Sequence, residues 1–158
     1  MRRRPGSPGA SPFVVFTTMA VTALLLLVAA FAIAQEQVDT STLPKGIGPV
    51  EHVELGELDE TLAREGKAVF EMFCTSCHKF GERYVGPDLA GVTLRRSPEW
   101  IMNMILNPEE MVFNDDTAYE LLAEYMTQMP PMPITQEQTR AILEYFRATD
   151  SGVALTTD

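Results

Sequence analysis

An all-α domain of about four short helices, with a separate hydrophobic helix ahead of it, is predicted by two observations. Apolar residues recur at helical spacing in four stretches, each opened by a Ser, Thr or Asp suited to cap a helix. Between them run segments rich in glycine and proline, and no element is convincing as a strand. A chain of 158 residues has room for one small domain and a leader.

The leader comes first. Arg2, Arg3 and Arg4 precede a Gly/Ser/Pro stretch, and an uncharged run of 22 residues then extends from Phe13 to Ala34. That length is enough for a helix to cross the hydrocarbon core of a bilayer. The arginines would hold its first end in the cytoplasm and place the following domain outside. Ala32-Ile33-Ala34 before Gln35 also reads as a signal-peptide cleavage site, so residues 1–34 are a membrane anchor or a signal peptide. The three arginines are the only charges before Glu36, so a chain of net charge −10 carries −13 on residues 35–158. Nucleic acid would repel such a domain. The acidity suits a basic partner surface, and equally suits solubility alone.

Residues 35–59 contain Pro44, Gly46, Gly48, Pro49 and Gly56 among acids, with no sustained period. They read as an extended linker able to lie across the domain or to give an anchored domain a reach of roughly some tens of ångströms. The domain itself is expected over residues 60–150. Asp59 caps its first helix, whose apolar face is Leu62, Gly66, Val69, Phe70 and Phe73. Gly66 costs about 1 kcal/mol there against alanine, which calls for another helix crossing at close range.

Lys79 to Leu94, with Gly81, Gly86, Pro87 and Gly91, reads as loop. Ser97-Pro98-Glu99 then opens a helix carrying Trp100, Ile101, Met104 and Ile105, which Asn107-Pro108 ends. Asp115 or Asp116 caps the third, with Ala118, Leu121, Leu122 and Tyr125 as its inner face. A stiff loop, Met129-Pro130-Pro131-Met132-Pro133, leads to Thr135 and Gln138, spaced as a capping box. The last helix carries Ala141, Ile142, Tyr145 and Phe146, Gly152 lies at or past its end, and residues 151–158 form a tail.

The first helix runs directly into Cys74-Thr75-Ser76-Cys77-His78. Two cysteines separated by two residues and followed by histidine form the attachment pattern of a c-type haem. One helical turn lets both thiols reach the vinyl groups of a single porphyrin, while the next residue turns its imidazole to the iron. A redox disulfide or half of a zinc site are the alternatives for Cys-x-x-Cys alone. The chain has no further cysteine and one further histidine, His52, far upstream, and the lead-in is a helix where a thioredoxin-like motif would want a strand. One covalently bound haem c, tethered by Cys74 and Cys77, is therefore expected. It would also complete a core that four short helices cannot close alone, so the apo-protein should fold poorly.

Iron held by one histidine needs a sixth ligand. His52 is one candidate, and Met126, Met129 and Met132 are others. Thioether sulfur paired with histidine raises the reduction potential by favouring ferrous iron. Met72, Met102, Met104 and Met111 read as core filler.

From Thr61 to Arg147 the chain resembles class I monohaem cytochromes c. Gly66 and Phe70 precede Cys74 at the spacing of that family's first helix, and Ile142 and Tyr145 stand where its last helix packs on that glycine. Val85-Gly86-Pro87-Asp88-Leu89-Ala90-Gly91 is similar to the loop whose proline carbonyl receives the proximal histidine. Met129, followed by two prolines and, six residues on, by Thr135, resembles the axial-methionine loop. The resemblance implies His78 and Met129 as iron ligands and ranks Met129 above Met132 and Met126. It implies that Pro87 orients His78. It also implies Arg95, with Arg96 as a substitute, near a haem propionate. Trp100 would donate its N–H to a propionate or pack at the haem edge, and Tyr84 could line the pocket. The lysine ring of the basic mitochondrial members is absent.

The function so implied is one-electron transfer without a substrate site. The carrier would work at the periplasmic face of a bacterial cytoplasmic membrane, anchored there or soluble after signal cleavage. Its expected partners are redox proteins of a respiratory chain, from quinol-oxidising complexes to a terminal oxidase or a periplasmic reductase, and the segment from Arg95 to Asn107 is similar to membrane-linked bacterial respiratory cytochromes, including ones that serve denitrification enzymes. A haem subunit fixed in a larger complex is the alternative, with a ligand-binding or peroxidase-like haem protein behind it.

Overall fold

The structure, a computed structural model, describes residues 40–155. The hydrophobic helix expected over residues 13–34 lies outside them. Among the described residues no helix is long and apolar enough to cross a membrane.

Six α-helices follow a short 3-10 turn at Thr40–Thr42: α1 Glu60–Phe73, α2 Val92–Arg95, α3 Pro98–Leu106, α4 Pro108–Asn114, α5 Asp116–Tyr125 and α6 Gln136–Asp150. The four expected helices are α1, α3, α5 and α6, and their caps explain where they begin. Asp59 accepts from the Leu62 N–H, Ser97 from Trp100, Asp115 from Ala118, and Thr135 and Gln138 close both bonds of a capping box. The two added helices are short. Gly91, in the left-handed region at φ 70°, starts α2 inside the expected loop. Asn107-Pro108 does end α3, but Pro108 has no N–H to lose at a first helical position, so it opens α4 at once.

Helices α1 and α6 form the main packing pair. They cross at Gly66, where a Cβ atom would press on the Ala141 carbonyl and lie 2.7 Å from the Ile142 nitrogen. Beside the crossing, the Phe70 ring sits 5.4 Å from both Phe80 and Tyr145 and meets Phe146 edge-on at 5.7 Å. Such pairs add about 0.5–1.5 kcal/mol each beyond the area they bury. Ala63, not Leu62, is the buried residue in the first turn of α1. Met102 and Met111 fill core as expected, whereas Met72 is 74% exposed.

The segment ahead of α1 is packed rather than free. Asn103, a buried polar residue on α3, donates to the carbonyls of Lys45 and Val50 and accepts from the Val50 N–H, all at 2.9–3.0 Å. Ser97 donates to the Pro44 carbonyl at 2.7 Å, and the Ile47 N–H meets the Met111 sulfur at 3.0 Å. Glu99 accepts from the Val53 N–H, with Lys45 and His52 beside it. Burial pushes the Glu99 carboxyl up, and its own and Val53's N–H groups together with Lys45 outweigh that, leaving it below the usual range. At the far end Arg147, paired with the buried Glu144, donates to the Gly56 carbonyl at 2.8 Å. These bonds make residues 44–56 a strap across the domain.

Asn103→Leu is expected to free that strap. It leaves the Val50 N–H and C=O unpaired in the interior, at about 1–3 kcal/mol for each such group. Denaturant unfolding should show a loss of about 2–6 kcal/mol, and limited proteolysis should cut between residues 44 and 56.

Candidate functional site

Cys74 is the C-cap of α1, and its carbonyl accepts from the N–H groups of both Cys77 and His78, at 3.1 and 2.9 Å. The motif is therefore one further turn wound on the end of α1. That turn brings Cys74, Cys77 and His78 to one wall of a cavity of about 340 Å³, within the size range of small-molecule sites. Burial first, then the neighbouring Cys77, pushes the Cys74 thiol up to about 11, so it is held as a thiol.

His78 Nδ1–H donates to the Pro87 carbonyl at 3.1 Å, which assigns the tautomer and leaves Nε2 with a free lone pair. Burial lowers the imidazole pKa, against the opposing pull of the Pro87 carbonyl, so the ring is neutral, the form that binds metal. Gly86 is pressed on this ring: a Cβ there would lie 2.6 Å from His78 Cε1. The Gly86 N–H donates to the Cys77 carbonyl at 2.8 Å, which folds the loop back on the motif. The loop's other end is held by Asp150 of α6, which accepts from the N–H groups of Gly91 and Thr93 at 2.6 and 3.0 Å.

Apolar side chains from α3, α4 and α5, among them Ile105, Val112, Leu121 and Leu122, make up much of the remaining wall, and α1 and α6 contribute Phe70 and Phe146. Met129 and Met132, from the loop between α5 and α6, both line the cavity and are partly buried. Met126 does not: it caps α5 in the left-handed region, φ 53°, and is 83% exposed. His52 lies on the strap beside Glu99 and Glu54 and is not part of the wall.

Pro87, Arg95 and Trp100 also reach the cavity. The Arg95 guanidinium donates to the carbonyls of Asp88 and Ala90. Arg96 stands at the wall too, its guanidinium 5.1 Å from the Trp100 ring centre. The Trp100 N–H donates to Asp115 Oδ1 at 3.0 Å, the oxygen that also caps α5, so the indole packs as wall and its N–H ties α3 to α5. Tyr84 is half-exposed under the Lys79 ammonium and is not in the wall. Sequence reasoning missed Gly86 as the support of the His78 ring, although its place before Pro87 was a usable signal. It also missed Phe80, two residues past His78, which a loop assignment hid.

These residues fit a haem. Two cysteines one turn apart, a neutral histidine with Nε2 free, a soft sulfur donor and an apolar wall are the donor set and surroundings such a group requires.

Comparison with known proteins bears on the same residues. The family model described as Cytochrome c matches residues 63–150. Among solved structures, a cytochrome c from Rhodothermus marinus is 44% identical, covering 72% of this chain and 99% of that one, with TM-score 0.68. An engineered form of that protein, Rma TDE bound to a carbene intermediate, is 43% identical over the same shares, with TM-score 0.64. The cytochrome c domain of the pp3183 protein from Pseudomonas putida is 29% identical, covering 54% of this chain and 88% of that one, with TM-score 0.51. No curated protein matches the chain.

Proposed function

Because the chain belongs to the cytochrome c family and is a haem-based electron carrier, we propose that it carries single electrons along a respiratory chain outside the bacterial cytoplasmic membrane. Haem c, bound covalently, supplies the one-electron couple between ferric and ferrous iron. Cys74 and Cys77 hold it by thioether bonds. His78 offers Nε2, kept neutral by burial and aimed by the Pro87 carbonyl. Met129 offers the thioether on the same cavity, and that placement is the observation that carries the reading. With His78 and Met129 both holding the iron, no site would be left for a substrate, and electrons would pass through the edge of the cavity.

The donor is then a quinol-oxidising membrane complex, and the acceptor a terminal oxidase or a periplasmic reductase such as one of denitrification. The apolar run from Phe13 to Ala34 supports attachment to the membrane, or export followed by cleavage.

The test uses the full chain expressed with its haem. Haem should stay with the protein through acid-acetone extraction and be lost in Cys74→Ser/Cys77→Ser. Detergent-solubilised membranes given quinol should reduce the holoprotein, and oxidase- or reductase-containing fractions should reoxidise it. A holoprotein that neither accepts electrons from such membranes nor returns them, but turns over peroxide, would contradict the proposal.

A further inference from the structure

Met129 sits on a loop that does little to hold itself. Among the described residues, Thr127, Gln128 and Met129 make no hydrogen bond, and Pro130 and Pro131 have no N–H to give. Apart from the apolar packing of Met129, Met132 and Ile134 on the core, the loop is therefore positioned by its two ends. One end is the capping box of α6. The other is the C-terminus of α5, which is gripped from across the cavity mouth by Arg83.

Arg83 belongs to the loop between His78 and Pro87. Its guanidinium pairs with the Glu124 carboxylate, donates to the Glu124 backbone carbonyl at 3.2 Å, and stacks 4.1 Å from the centre of the Tyr125 ring. Glu124 and Tyr125 are the last two residues of α5, five and four before Met129. Among the described residues this is the one hydrogen-bonded or ion-paired link between the loop that follows His78 and the segment that carries Met129. Tyr125 itself lines the cavity, so the grip lies at its rim.

We propose that Arg83, closing on Glu124 and Tyr125, is a positioning residue that holds the Met129 loop shut and so sets how readily Met129 leaves the iron. The inference rests on Met129 being the sixth ligand. An exposed ion pair alone is worth little, but here one planar cation meets a carboxylate, a carbonyl and a ring face at once. The expected effect is accordingly several-fold, not several orders of magnitude.

An external ligand that needs the open loop reads this directly, because its apparent affinity scales with the open fraction. Ferric holoprotein is titrated with imidazole. Arg83→Ala should tighten imidazole binding about three- to tenfold, the range that such surface contacts command. Arg83→Lys, which keeps the charge and loses the fork, should fall between. High salt should tighten binding to the unmodified protein and leave Arg83→Ala nearly unmoved, since only the former has a pair to screen. The denaturation midpoint should fall only by the same small free energy that the tighter imidazole binding reports, whereas a merely structural contact would lower the midpoint and leave imidazole binding unchanged. A methionine-ligated protein whose Arg83→Ala form binds imidazole within twofold of the original overturns the inference alone. Absence of methionine ligation in the unmodified holoprotein overturns the ligand assignment and this inference with it.

Discussion

Gly66→Ala should destabilise the holoprotein by about 3 kcal/mol or more, and Gly66→Val should prevent its accumulation. Intrinsic propensity points the other way, since alanine in the middle of α1 gains about 1 kcal/mol over glycine. The crossing decides the sign. A Cβ at residue 66 presses on the Ala141 carbonyl and lies 2.7 Å from the Ile142 nitrogen, and both are backbone atoms of α6 that no rotamer change can move. Relief requires α1 and α6 to separate, which also pulls Phe70 from Tyr145 and Phe146. Overpacking of flexible cores costs about 1–3 kcal/mol, and here the neighbour is rigid. Total stability of small domains is about 5–15 kcal/mol, so valine leaves little margin. Denaturant unfolding of Gly66→Ala measures the effect. A gain in stability would mean that the helices do not cross where the structure places them.

Met129→Ala should remove the weak far-red absorption band of methionine-ligated ferric haem and lower the reduction potential by on the order of 0.1 V, within the range of about 0.8 V that axial ligation spans. Loss of the thioether withdraws the preference for ferrous iron. It also opens the sixth position, so the variant should bind imidazole without the opening step that limits the unmodified protein. Met132 lines the same cavity and provides the control. Met132→Ala should keep the band and change the potential little. If Met132→Ala loses the band and Met129→Ala keeps it, the ligand is Met132.

How much could be read in advance depended on the range of the interaction. The starts of α1, α3, α5 and α6 were legible because a cap and the N–H it receives are three residues apart. Helices α2 and α4 were not, because four and seven residues are too few to show an apolar period. The packing of the strap was hidden for another reason: Asn103 binds backbone groups more than fifty residues away, and backbone groups carry no sequence signal. At the site, Cys74 to His78 is a local pattern with its own chemistry, and Pro87 and Met129 were reached by resemblance. Arg83 and Glu124, forty-one residues apart, were ordinary surface charges until the fold placed them together.

The pairing of α1 with α6 also governs the order of events in a growing chain. The helix that leads into Cys74 finds its main partner only after Asp150 has been made. Contacts so distant in sequence form late, because the closure entropy of the whole intervening loop must be met first. Until then Cys74 lacks the burial that pushes its thiol up to about 11 in the finished domain, and it ionises like any other thiol. The topology leaves the attachment turn unpacked until the last helix has been made.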